Sequence, residues 1–172
     1  MMSASLRNDT TGSTTLSISL PASIYRAVQQ AMAAQVCEAS LIVQRALVPF
    51  LQGEGFLPEE EKQRFELFWK LVWHVVEKAK EIAKDGTFPD SVTLDAINAA
   101  MKDDWWITGY RDYVGTDIFR TGVSEKGPLN REIGFRVKEA LGAQGKKDPS
   151  GKTANTKVLG SVIQSYTPLL PA

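Results

Sequence analysis

The chain has one cysteine and one histidine among 172 residues. Cys37 has no partner for an internal disulfide, and one thiol with one imidazole cannot assemble a cysteine-rich metal site. No metal or other cofactor is called for, and a lone cysteine suits a reducing cytoplasm. Long apolar runs are missing too. The most apolar stretch, "LFWKLVWHVV", is short and broken by Lys70 and His74, so no membrane span is expected. The start, "MMSASLRNDTTGSTT", lacks the apolar centre of an export signal. Nucleophile elbows, paired-histidine motifs and dinucleotide fingerprints are absent, so no residue set asks for an enzyme. "SGKT", at 150–153, has Lys146 where a phosphate-binding loop needs its first glycine, and Pro149 interrupts it.

Net charge is also missing, with 20 basic against 20 acidic side chains, yet the charges are unevenly placed. Between 126 and 157 stand Lys126, Arg131, Arg136, Lys138, Lys146, Lys147, Lys152 and Lys157 against only Glu132, Glu139 and Asp148. With 43% hydrophobic residues the chain can bury one sizeable core or two modest ones.

"TLSISLP", from Thr15 to Pro21, alternates hydroxyl and aliphatic side chains. Leu16, Ile18 and Leu20 fall on one face of a strand and Thr15, Ser17 and Ser19 on the other. Pro21 ends the strand and suits a helix start. In "PASIYRAVQQAMAAQ" the residues Ile24, Val28, Ala31 and Met32 form an apolar stripe at helical spacing. After Val36 and Cys37, "EASLIVQRALVPFL" repeats the signal with Ile42, Val43, Ala46, Leu47, Phe50 and Leu51, and Pro49 is expected to kink or end that helix. The strand needs a partner for its backbone groups. The same strand of a second chain is the economical choice; a distant strand of this chain is the other.

Strand, helix, helix over Leu16 to Leu47 resembles the ribbon-helix-helix DNA-binding family, the Arc and MetJ type. The resemblance covers roughly 13–52 and implies a homodimer whose antiparallel ribbon enters the major groove of double-stranded DNA. It implies Thr15, Ser17 and Ser19 as base contacts and Leu16, Ile18, Leu20, Ile42, Val43 and Leu47 as dimer core. It also implies phosphate contact at Ala39 and Ser40, where the second helix begins. Glu38 stands beside that phosphate position and Val36 replaces a usual glycine. No arginine, lysine or amide stands among the outward residues of Thr15–Leu20, so discrimination by that strand alone is expected to be modest.

"QGEGFLP" reads as a linker, and "PEEEKQRFELFWKLVWHVVEKAKEIAKDG" as one helix with proline first, acids in its first turn and a glycine stop. Phe65, Phe68, Trp69, Val72, Val76, Ala79 and Ile82 make its stripe, widened by Leu67, Leu71 and Trp73. It serves an intramolecular core or, alternatively, a second dimer contact. His74 lacks a second ligand and reads as structural. Val92–Met101 is expected as a short helix capped by Asp90 or Ser91, and "ITGYRDYVGTDIF" is ambiguous between helix and strand. "GPLNREIGFRVKEALGA" is a helix that Asn130 can cap, with Ile133, Val137 and Leu141 on one side and Gly142 at its end. A basic loop follows, then "VLGSVIQSYTPLL" as a strand using Val162, Tyr166 and Leu159.

The order of helix, basic loop and strand over roughly 91–170 is similar to small winged-helix domains attached to some phage-type primases and regulators. That resemblance implies phosphate contacts at Arg131, Arg136, Lys138, Lys146, Lys147, Lys152 and Lys157; a solvated basic surface loop is the other reading.

The expected organisation is a flexible arm (1–12), a ribbon-helix-helix domain (13–52), a linker (53–57), a long amphipathic helix (58–86) and a C-terminal α+β, winged-helix-like domain (87–172). The fold class is mainly α with a short N-terminal strand. The expected function is a cytoplasmic, homodimeric, sequence-specific DNA-binding repressor or autoregulator, with higher assembly on DNA left open. The alternative is an interaction module, such as an antitoxin or a plasmid maintenance or conjugation accessory factor, meeting a protein through the Trp-rich helix or the C-terminal domain.

Overall fold

The computed structural model describes residues 5–8, 14–35, 39–115, 117–123 and 125–171. The chain divides into two units, 1–50 and 51–172, and is mainly helical with a few short antiparallel strands.

In the first unit β1 (Ser5–Asn8) pairs antiparallel with β2 (Thr14–Ser17), setting Ser5 opposite Ser17, Leu6 opposite Leu16, Arg7 opposite Thr15 and Asn8 opposite Thr14. This corrects two expectations. Part of the supposed flexible arm is a strand, and β2 has a partner within its own chain. Backbone donors and acceptors need partners, and the short segment before the strand supplies them. The described ladder ends at the Ser5–Ser17 pair, and Ile18, Ser19 and Leu20 follow it as irregular backbone.

Pro21 then accepts the Tyr25 N–H at 2.9 Å and α1 (Ala22–Gln35) begins. The second helix, α2 (Ala39–Gly53), continues through Pro49 to its glycine end, so the proline does not terminate it. Expectations placed on Val36, Cys37 and Glu38 lie outside the described residues, as do those on the side chains of Thr15, Leu16 and Ser40.

The second unit is organised around α3 (Glu59–Ile82), which packs on α4 (Val92–Ala100), α5 (Asp104–Val114) and α6 (Lys126–Ala140). Pro58 precedes α3 and Glu59, Glu60 and Glu61 fill its first turn, matching the positive end of the helix. Phe68, Leu71, Val72, Val75, Val76 and Ala79 are its buried stripe. Trp73 is not part of it: at roughly 100° per residue it points away from the stripe, and it is 46% exposed.

The ambiguous aromatic segment is helix α5. Gly109 lets that helix approach α3, since a Cβ there would meet Leu67 Cδ1 at 3.1 Å. The buried Trp106 donates its Nε1–H to the Leu71 carbonyl at 3.0 Å. Gly115, at φ +72°, closes α5 in the left-handed conformation that glycine adopts without strain. Asn130 does not cap α6, which starts at Lys126; instead it accepts the Tyr110 hydroxyl at 2.9 Å inside the helix. Lys126 is buried, and its ammonium donates to the carbonyls of Ile118 (2.6 Å) and Arg120 (3.0 Å).

After α6, β3 (Gln144–Gly145) pairs with β6 (Leu169–Leu170), and β4 (Thr156–Lys157) with β5 (Ser165–Tyr166), both antiparallel. The expected single strand is therefore two short ones beyond a turn, with Val162 and Ile163 buried between β4 and β5 and Leu159 fully outside. Leu169 donates its N–H to the Asp90 carbonyl at 2.9 Å, tying the C-terminal strand to the approach to α4.

Candidate nucleic-acid interface

The expected base-reading residues sit at the N-terminal ladder and its continuation. Thr15 occupies a register position opposite Arg7, Ser17 closes the ladder, and Ser17 and Ser19 are exposed. Residues opposite one another in a ladder share a face. The register therefore adds an arginine position to the Thr15 face, which the reading of one isolated strand missed.

Several apolar residues of this unit are exposed. Ile18 is 49% exposed and Leu20 and Leu47 are each 40% exposed, while Ile42 and Val43 are half-buried. Among the side chains described within 14–50, none is buried. Ala39 opens α2, whose first turn carries no acidic residue. Its first backbone N–H groups have no partner within the helix, as at every helix start.

The C-terminal basic residues divide into engaged and open ones. Arg136 does not fit a phosphate role. Its Nε–H donates to Glu132 at 2.9 Å and its Nη1 to Glu139 at 2.7 Å, and the guanidinium lies 5.4 Å and 5.6 Å from the ring centres of Trp69 and Trp73. Lys146 is paired with Asp90 at 3.1 Å, and Lys147 reaches the Thr153 hydroxyl at 3.3 Å. Lys138 is half-buried on α6 and Arg131 exposed on it. Lys152 and Lys157 are exposed, with no ion-pair partner among the described residues.

The loop between β3 and β4 is folded on itself. Asp148 accepts from the Ser150 hydroxyl at 2.7 Å and from the N–H groups of Ser150 and Lys152. The Ser150 hydrogen bond, helped by these backbone donors, holds the Asp148 carboxyl below its ordinary range. A bridge pairs Lys147 with Thr153 across the turn. Lys147 and Lys152 therefore flank a built turn.

Another concavity, of about 530 Å³, lies on α3 and the start of α5; Trp69, Trp73, His74 and Trp105 line it, with Lys70 and Glu77. Trp69 and Trp73 stack at 6.1 Å, and His74 meets Trp105 edge-on at 4.8 Å. His74 Nε2 lies 2.7 Å from Asp103, and the Lys78 ammonium reaches the same carboxylate at 3.2 Å. These contacts, the His74 hydrogen bond foremost, hold Asp103 below the ordinary carboxylate range. His74 thus has a structural partner far away in sequence. Trp105 stands just before the segment that is ambiguous in sequence, at the start of α5, and no local signal pairs it with His74.

Among the described residues no group of three or more His, Cys, Asp or Glu could hold a metal ion, and no helix is long and apolar enough to cross a membrane. No protein-family model, curated protein or solved structure matches this chain.

Proposed function

We propose that this chain is a homodimeric, sequence-specific DNA-binding protein of ribbon-helix-helix type, acting as a repressor or autoregulator. One observation carries the reading: the strand–helix–helix unit leaves the apolar side chains of Ile18, Leu20 and Leu47 exposed in the single chain. Burying such side chains contributes about 1.5–3 kcal/mol each, and a second copy offers the complementary surface. β2 uses one edge on β1, and its other edge is the place for the partner's β2.

In this reading the polar face carries Thr15 and Ser17, with Ser19 following, into the major groove. Arg7 holds the register position opposite Thr15, and arginine is the residue type that reads guanine bidentately. The start of α2 at Ala39 and Ser40 meets phosphate. Lys147, Lys152 and Lys157 add salt-sensitive attraction.

A protein partner is the second reading. It is favoured by the exposed tryptophans on unit 2 and by the engagement of Arg136 and Lys146 in pairs of their own. Replacing Ser17 and Ser19 by alanine separates the two: DNA binding falls if the ribbon reads the groove, and binding to a protein partner is unchanged.

A further inference from the structure

The charge pattern along α3 reverses about Trp73. Between Glu66 and Lys80 four charged residues and this tryptophan occupy one line of the helix, Glu66, Lys70, Trp73, Glu77 and Lys80, which Lys62 and Glu59 continue towards the N-terminus. At roughly 100° per residue the line lies about half a turn from the buried stripe of Leu71, Val72, Val75 and Val76. The signs run minus, plus, tryptophan, minus, plus. Read from the other end they run plus, minus, tryptophan, plus, minus.

A two-fold axis at Trp73 that places a second α3 antiparallel on the first therefore matches the four signs from Glu66 to Lys80. Lys70 of each copy meets Glu77 of the other, and Glu66 meets Lys80. An isologous contact requires this kind of self-complementarity.

The geometry points to this face of α3 as a self-association surface whose occupant is a second copy of the chain. Trp73 and Trp105, 46% and 49% exposed, supply the apolar centre, and large aromatics at the middle of a patch carry most of the energy of such contacts. Lys70 has no ion-pair partner among the described residues, and Glu77 is held only by the exposed Lys80 at 2.8 Å. Both are free to re-pair across the axis. The line from Glu66 to Lys80 spans about 21 Å, enough for three to four helical turns of contact.

This surface belongs to unit 51–172, whereas the pairing proposed above uses unit 1–50. With the pairing proposed there it would give each chain two self-contacts, the requirement for assembly beyond a dimer.

Charge reversal on the full-length chain tests it, because Lys70 and Glu77 are exposed and their replacement leaves the fold intact. Lys70→Glu and Glu77→Lys should each raise the dissociation constant of self-association at least tenfold by sedimentation velocity, since each puts like charges together twice. An equimolar mixture of the two variants, and the double variant, should both recover it. Trp73→Ala should weaken association without changing the circular dichroism melt. Unchanged sedimentation of both single variants would overturn the inference, and so would failure of the mixture and the double variant to recover. The outcome does not depend on DNA binding.

Discussion

His74 Nε2 lies 2.7 Å from a carboxylate oxygen of Asp103, joining the middle of α3 to the residue that precedes α5. Lys78, one turn on from His74, reaches the same carboxylate at 3.2 Å. Two cation-capable donors on one helix thus fix where the next helix pair begins.

Asp103→Asn should therefore lower stability at neutral pH and shift the urea midpoint downward. Because the Asp103 carboxyl is held below its ordinary value of 3.8, its contribution is complete above that pH and disappears as pH falls through the depressed value. Urea midpoints of the two proteins should differ at pH 7 and converge below pH 3.8. A constant difference across that range would show that the asparagine acts by packing instead.

Tyr110 behaves in the opposite direction. Burial raises its hydroxyl to about 12, against the hydrogen bond to Asn130, which lowers it. The unfolded tyrosine releases its proton near 10, so folding loses stability from pH 10 up to about pH 12. Tyr110→Phe should remove that part of the alkaline loss while costing about 1 kcal/mol at neutral pH for the lost hydrogen bond. Ultraviolet titration of phenolate absorbance, wild type against variant, checks it.

Lys126→Met should leave the Ile118 and Arg120 carbonyls without their donor. A buried unsatisfied carbonyl costs about 1–3 kcal/mol. Faster amide exchange around 117–123, with α3 and α4 unchanged, is the expected signature.

Arg136 and Lys152 should separate structural from electrostatic roles. Arg136→Gln breaks contacts to Glu132, Glu139 and two tryptophans, so it should destabilise the fold by about 1–3 kcal/mol and barely change the salt dependence of DNA binding. The double change Lys152→Gln and Lys157→Gln should do the reverse. Its salt slope should fall by about two if both meet phosphate.

Much of the helical framework was legible in local chemistry. Pro58 with three acids behind it marks the start of α3, and Gly142 marks the end of α6, because caps act within one turn. The alternation of Thr15 to Ser17 marks β2 for the same reason. What stayed hidden depended on distant partners. "WWITGYRDYV" has aromatic and β-branched residues that suit a strand, and only the Trp106 bond to Leu71 and the close approach at Gly109 commit it to a helix. "SLRN" is too short to announce a strand without β2 opposite it.

The site was legible unevenly. Ser17 and Ser19 are exposed, but so are Ile18 and Leu20, which the alternation places on the opposite face, and charge along a sequence does not reveal which carboxylates face Arg136. Glu132 and Glu139 lie at helical spacing from Arg136, a signal that a search for basic runs passes over.

Arg7→Ala tests the ladder register directly. If Arg7 shares the reading face with Thr15, the variant should lose about 1–3 kcal/mol of preference for its cognate site over random DNA. Arg7→Lys, which keeps the charge but loses the bidentate fork, should recover nonspecific binding only.

The central claim is that a dimer of this chain binds a specific DNA site. Purified full-length protein should be titrated against fragments from its own upstream region at two salt concentrations, with its mass in solution measured alongside. One fragment should be bound far more tightly than the rest, by a dimer or a multiple of it, with affinity falling as salt rises. A monomer, or a dimer that binds every fragment equally weakly, would contradict it.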